Sequence, residues 1–454
     1  MIVKAPLQEA LISKPDVTYL PETEFSKSVI LESYHVDLLP EYCYISEEFL
    51  ISGIAHGEPY CTRLLLRRPA DLNKFSGFVV EEPSHLWGGT SIWRHTNRWL
   101  MRNGHAWLEV DSQAPSAIGN IKNVDPERYD QIRFIPGPVS HEFAENIPFT
   151  TDVSKETLSQ NYDDFKAKWW PATLQSPEIL VAASYALRSG QLGLNARWVV
   201  LSGLSQTGGV TRRFITHSSH LKLPDGSHPF EGYIPCQSGG AALPDSAPAK
   251  IIELLGESEF PSVRLPCGVS GQMKETTHRR PDSDFFRVYE VAGMAHRESR
   301  YSSELDVKRY SAVHLNGAKW STFSNSFIYH AVFESMVKWI SEEIAPAPSA
   351  FIQTVGNTDE IVRDKHGNAL GGVRTLHTDV PLARFVAATP KGRPNWYHGS
   401  EWPFFEDELR RLYGSPAEYR GRAGAALSRQ LQSGFLLPAD AEVLRRETVE
   451  KVNF

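Results

Sequence analysis

The sequence predicts an α/β fold: an eight-stranded, mostly parallel sheet with helices on both faces, a lid insertion and a helical C-terminal extension. Three observations lead there. From about residue 42, short apolar runs alternate with amphipathic helical stretches, the order that builds parallel sheets covered on both sides. The run "ARWVVLSG" passes directly into "LSQTGG", a strand-to-helix turn lined by small residues. At 454 residues and 41% hydrophobic composition, the chain can bury a large core.

Each element follows from its local pattern. "EYCYISEEFLISG" and "PYCTRLLLRRP" read as two strands joined by a turn at Ala55-His56-Gly57, which gives the sheet an antiparallel edge. "SGFVVEEP" is the third strand. In "TSIWRHTNRWLMRNG", Ile92, Trp93, Thr96, Trp99 and Leu100 share one helical face and Gly104 suits the end. "HAWLEVDSQ" is the fourth strand. Residues 113–175 break the rhythm with Pro, Asn, Asp and aromatics, including Tyr129, Phe134, Phe143, Phe165, Trp169 and Trp170. They are expected to form the lid, with Trp169 and Trp170 toward an apolar or aromatic substrate; a buried structural cluster would read the same way.

"SPEILVAASYALRSGQ" resumes as a helix with Ser176 as N-cap and Pro177 at its first position. After the strand "ARWVVLSG" come "FEGYIPCQS", "SVRLPCGVSG" and "DFFRVYEVAG", with helical stretches between the first two of these. "SNSFIYHAVFESMVKWISEE" is an amphipathic helix. Residues 345–454 form the extension, a Gly-rich set of turns followed by three helices, expected to lie on the same single domain.

Composition narrows the function. The net charge of −7 is spread over interspersed acids and bases, so the basic footprint of a nucleic-acid binder is missing. No stretch has the apolar length of a membrane span, and the first residues lack the core of a secretory signal, which points to the cytoplasm. The four cysteines are too scattered for a disulfide framework. The sequence does not set an oligomeric state.

Reactive groups in such sheets gather at the carboxyl ends of the strands. Ser205 follows the fifth strand, with Gly203 before it and Thr207-Gly208 after it. There a hydroxyl can stand clear of the backbone above a helix N-terminus. His296 follows the last strand in "EVAGMAHRES", where a base can approach. A carboxylate should come between them, after the penultimate strand. Glu275 in "QMKETTHRRPDSD" is the first choice; Asp282 and Asp284 also offer carboxylates but stand at the amino end of the last strand. An oxyanion would rest on the N–H of Gln206 and on Leu86 or Trp87 of "EEPSHLWGGTS".

With these residues in place, the chain resembles the α/β-hydrolase fold and, within it, a microbial α/β-hydrolase-domain family. The resemblance runs from about residue 60 and rests on "GFVVEEPSHLWGG", "VDPERY", "GLSQTG", "RRPDSDFFRVYEVAGMAH", "DKHGNALGGVRTLHTDVPLA" and "GFLLPADA". It implies a serine hydrolase of carboxylic esters or lactones in which Ser205 is the nucleophile and His296 the base, with Glu275 as the acid. The family pattern has an acidic cluster soon after the penultimate strand, whereas "SVRLPCGVSG" runs into "QMKE". No cofactor is expected, and the partner is a small-molecule ester or lactone. The same residues would serve an acyltransferase, or remain on a scaffold that only binds ligand. His217 and His220 lie one helical turn apart in "HSSH" but lack a third ligand, so no metal site is expected.

Overall fold

The computed structural model describes residues 9–86, 88–89, 91–136, 173–246, 248–260, 278–299, 318–388 and 397–454. Its main sheet has nine strands. They are β1 (Asp16–Tyr19), β2 (Tyr44–Ala55), β3 (Glu58–Pro69), β4 (Phe78–Pro83), β5 (Ala106–Val110), β6 (Trp198–Leu204), β7 (Gly232–Cys236), β8 (Lys250–Gly256) and β9 (Phe286–Val291). Hydrogen bonds link them in the order β9-β8-β7-β6-β4-β5-β3-β2-β1. The β4–β5, β4–β6 and β8–β9 pairs are parallel. The β1–β2, β2–β3 and β3–β5 pairs are antiparallel, so the sheet is mixed.

Two differences from the expected sheet have local causes. The ninth strand, Asp16–Tyr19, is exposed along most of its length and carries no burial pattern that a sequence reading could detect. "KIIELLG", read as helical, is the buried strand β8; Ile251, Ile252, Leu254 and Leu255 line up for either a helix face or a doubly covered strand. The stretch 262–271, assigned as that strand from sequence, lies outside the described residues. The other strands fall where expected, and the β2–β3 hairpin turns at His56 and Gly57, both with positive φ. Within it Cys61 sits opposite Ser52.

By its contacts the chain divides into two compact units: Met1–Pro235 with Leu243–Ala249 and Leu265–Val269, and Cys236–Ala242 with Lys250–Arg264 and Ser270–Phe454. In the first, Val79, Val80, Ala106, Trp107, Leu108, Val199, Val200 and Leu201 are fully buried, as strands covered on both faces must be. Helix α1 (Trp93–Arg102) connects β4 to β5, and α2 (Ser176–Arg188) precedes β6. Ser176 is the first residue of α2, not its cap; its Oγ meets Ser112 Oγ at 2.9 Å. Glu81 and Glu82 on β4 are buried too, and desolvation holds both carboxyl groups well above their usual range.

An N-terminal strap is stitched to this unit by buried charge. Arg63 reaches Asp111 at 2.6 Å, Glu109 at 2.7 Å, Glu48 at 3.3 Å and the carbonyl of Val29 at 2.5 Å. Arg128 holds Glu48 and donates to the carbonyls of Leu20 and Pro21. Tyr129 accepts the N–H of Val29 and donates to Glu48. Of the aromatics expected in the lid, Tyr129 is thus fully buried in the core with Ile121 and Ile132, and Phe134 lies against them. Phe143, Phe165, Trp169 and Trp170 lie outside the described residues.

The second unit holds β8 and β9, a three-stranded antiparallel sheet (Lys319–Trp320, Ala383–Val386, Ser400–Pro403) and the long helix Asn325–Ser341. The three expected terminal helices form at Glu406–Tyr413, Pro416–Gln432 and Pro438–Leu444. They share a core of Tyr413, Tyr419, Leu427, Leu436 and Leu444 with Phe327 and Leu376.

Candidate functional site

Strand β6 ends at Leu204, and helix α3 (Gln206–Arg213) begins at Gln206, which leaves Ser205 alone to make the turn. Its backbone stands at φ 62° and ψ −114°, a conformation a non-glycine residue adopts only when its surroundings impose it, at a cost of about 1–3 kcal/mol. Two neighbours impose it. A Cβ on Gly203 would lie 2.3 Å from the carbonyl carbon and oxygen of Thr207, so only glycine lets the helix start this close to the strand. The Thr207 hydroxyl accepts the N–H of Leu204 at 2.8 Å and donates to its carbonyl at 2.9 Å, tying the turn across its base. Threonine thus has a use where the common elbow pattern has a small residue.

The loop after β4 is held beside this turn through Gln206. The Gln206 and Gln113 amides bond reciprocally at 2.7 and 3.2 Å, and Gln113 also donates to the Ser84 carbonyl. Gln206 Oε1 accepts the N–H of Leu86 at 3.3 Å. The Leu86 carbonyl is held by Asn120 and that of His85 by Ser116. The Leu86 N–H, expected as an oxyanion donor, is therefore directed at a side-chain carbonyl. Trp87, the other expected donor, lies outside the described residues.

Ser205, Gln206 and Leu86 belong to the first unit, and His296 belongs to the second. His296 follows β9 in a loop fixed at nearly every residue. The Gly293 N–H donates to Glu257 at 2.9 Å. The Met294 carbonyl accepts from Ser258, and the Ala295 carbonyl accepts from Gln237 and Asn325. Gly256 makes this closeness possible, since a Cβ there would stand 2.7 Å from the Met294 oxygen. Arg297 donates its N–H to the Tyr397 carbonyl.

The imidazole and its carboxylate are both buried, with Nδ1 of His296 2.9 Å from Oε1 of Glu259. Nδ1–H donates to the carboxylate, which points Nε2 the other way. Sequence reasoning missed Glu259, although "GESE" at the end of β8 is an acidic cluster of the kind expected after the penultimate strand. Misassigning β8 as helix hid it. Glu275 lies outside the described residues. Asp282 and Asp284 are exposed ahead of β9; Asp282 accepts from Ser349 and stands near Arg287.

A family model described as "Alpha/beta hydrolase domain" matches residues 20–446. The chain belongs to this family. Among solved structures, the chain is similar to a putative dienelactone hydrolase from Klebsiella pneumoniae subsp. pneumoniae MGH 78578 (11% identity, TM-score 0.26, 55% of this chain and 85% of that one). It is also similar to acetyl xylan esterase 1 from Thermoanaerobacterium sp. JW/SL YS485 (10%, TM-score 0.27, 50% and 53%) and to brefeldin A esterase, described as a bacterial homologue of human hormone sensitive lipase (13%, TM-score 0.23, 48% and 42%). The chain thus spans about half the length of the last two. No curated protein matches it. Among the described residues, no helix is long and apolar enough to cross a membrane.

Proposed function

We propose that the protein is a serine hydrolase of carboxylic esters or lactones, working through Ser205, His296 and Glu259. The observation that carries this reading is the backbone of Ser205: a strained, over-determined turn that presents a hydroxyl at a helix N-terminus. Strain of this kind clusters at functional sites. The buried His296–Glu259 pair supplies the second requirement, an imidazole oriented by a carboxylate.

In the proposed reaction Ser205 Oγ attacks the ester carbonyl while its proton passes to Nε2 of His296. Glu259 stabilises the imidazolium through Nδ1–H. The tetrahedral oxyanion rests on the N–H groups of Gln206 and Trp87 at the start of α3 and in the loop after β4. Collapse breaks the bond to the alkoxide, which takes the proton from His296 and leaves as the alcohol. Water then attacks the acyl-serine, with His296 taking its proton and returning it to Ser205 as the acid departs. Trp169 and Trp170 would meet an apolar acyl or aromatic group of the substrate.

The test is Ser205→Ala assayed on a panel of p-nitrophenyl esters and lactones, with a fluorophosphonate probe on the parent protein. The expected result is a folded variant with turnover down by about three orders of magnitude or more, and probe attached to Ser205. Hydrolysis at the parent rate in the variant, or labelling elsewhere, overturns the proposal.

A further inference from the structure

Two residues before Glu259 stands a second carboxylate, Glu257, also fully buried. Its two oxygens have different tasks. Oε2 accepts the N–H of Gly293, the residue that turns the chain from β9 toward His296. Oε1 accepts from Arg363 at 2.7 Å and from the Ala387 N–H at 3.3 Å. Arg363 is anchored in turn by the carbonyls of Gly367 and Ala388. It belongs to the Gly-rich turns of residues 361–373, which the reaction does not otherwise use. Carboxylate, histidine loop and guanidinium all lie in the second unit.

Resting on the reading of His296 and Glu259 as base and acid, we propose that Arg363 is a positioning residue for that pair. It neutralises Glu257, so that this carboxylate can pin the histidine loop without adding its own charge to that of Glu259. Without the guanidinium, two buried carboxylates of like charge would stand two residues apart, one on the imidazole and the other on the loop that carries it. The imidazolium would then be over-stabilised, and a base that holds its proton too tightly is poor at returning it to a leaving group.

Other charged or titratable groups near the histidine loop have partners of their own. The Tyr397 ring lies 5.6 Å away between centroids, and Arg297 bonds to its hydroxyl at 3.1 Å. Glu298 accepts the N–H and hydroxyl of Ser326. Burial lowers the Arg384 guanidinium, and the charge of Arg363 adds to this. Glu257 and Arg363 are the pair whose balance bears on Glu259.

The experiment follows the His296 ring by NMR titration in the full chain, in Arg363→Met, Arg363→Lys and the double variant Arg363→Met/Glu257→Gln. Arg363→Met should raise the His296 midpoint by about half a pH unit or more, the effect of one added buried charge nearby. The lysine variant and the double variant should return it to within about 0.2 unit. A folded Arg363→Met with an unmoved midpoint, or a double variant that fails to return, overturns the proposal. If Arg363→Met does not fold, Glu257→Gln alone should lower the midpoint, and an unchanged value overturns it equally.

The acid limb of kcat/KM against pH, measured on the same variants, should move with the midpoints. Moving midpoints in a protein that hydrolyses no ester would sink the serine-hydrolase reading and leave the role of Arg363 standing. Ester turnover lost in Ser205→Ala with fixed midpoints would do the reverse.

Discussion

Glu259→Gln separates the acid seen beside His296 from the one expected at Glu275. The change keeps shape and burial but removes the charge and offers an amide N–H to Nδ1. The imidazole must then carry its proton on Nε2, the nitrogen that has to accept from Ser205. With charge centres about 4 Å apart and an effective dielectric of about 20, the lost attraction is about 4 kcal/mol, or three decades in rate. The wrong tautomer adds to this, so kcat should fall by about 10³ to 10⁴ with KM nearly unchanged. The assay is initial-rate hydrolysis of whichever p-nitrophenyl ester the parent cleaves best, beside Glu275→Gln as the comparison. Glu275→Gln should stay within a few-fold of the parent. Near-parental turnover in Glu259→Gln, with activity lost in Glu275→Gln, would refute the assignment built on the 2.9 Å contact.

Two further outcomes concern stability. The Glu81 carboxyl is held well above its ordinary 4.5 by desolvation, with Arg188 opposing only in part. The folded state therefore keeps a proton that the unfolded chain releases above pH 4.5. Its contribution is fully present below that value and is lost as pH rises toward the folded pKa, at about 1.4 kcal/mol per unit. Urea unfolding of Glu81→Gln and the parent should give stabilities that diverge in favour of the variant as pH rises from 5 to 7, and parallel curves would show that Glu81 ionises normally. Gly203→Ala forces a methyl to within 2.3 Å of the Thr207 carbonyl; thermal unfolding should show a loss of about 1–3 kcal/mol, and probe labelling of Ser205 should slow at least tenfold, with unchanged labelling as the disproof.

What the sequence made legible follows from where local chemistry is decisive. Ser205 could be found because a strand that must become a helix within one residue needs glycine at 203 whatever surrounds it. His296 stands out because it follows "FRVYEV", a run of Val and aromatic residues that reads as a strand. Glu259 was hidden by a real ambiguity: a strand buried on both faces has no period of two, and "KIIELLG" satisfies a helical face equally well. Strand β1 escaped because four residues at a sheet edge, three of them exposed, bury too little to leave a pattern. Tyr129 looked like part of a lid because aromatic composition cannot show that its hydroxyl serves Val29 and Glu48. The use of Gln206 to restrain the loop at Leu86 depends on residues 120 positions apart and has no local sign.

The stitched N-terminal strap also sets an order of events during synthesis. Residues 20–29 leave the ribosome early, but their anchors Arg128 and Tyr129 emerge about a hundred residues later. Until then Glu48 lacks two of its partners, and the β2–β3 hairpin cannot close its buried charges. A nascent chain arrested just short of residue 128 should therefore be digested readily in its first 35 residues. One arrested some tens of residues further on, with the tyrosine clear of the exit tunnel, should resist.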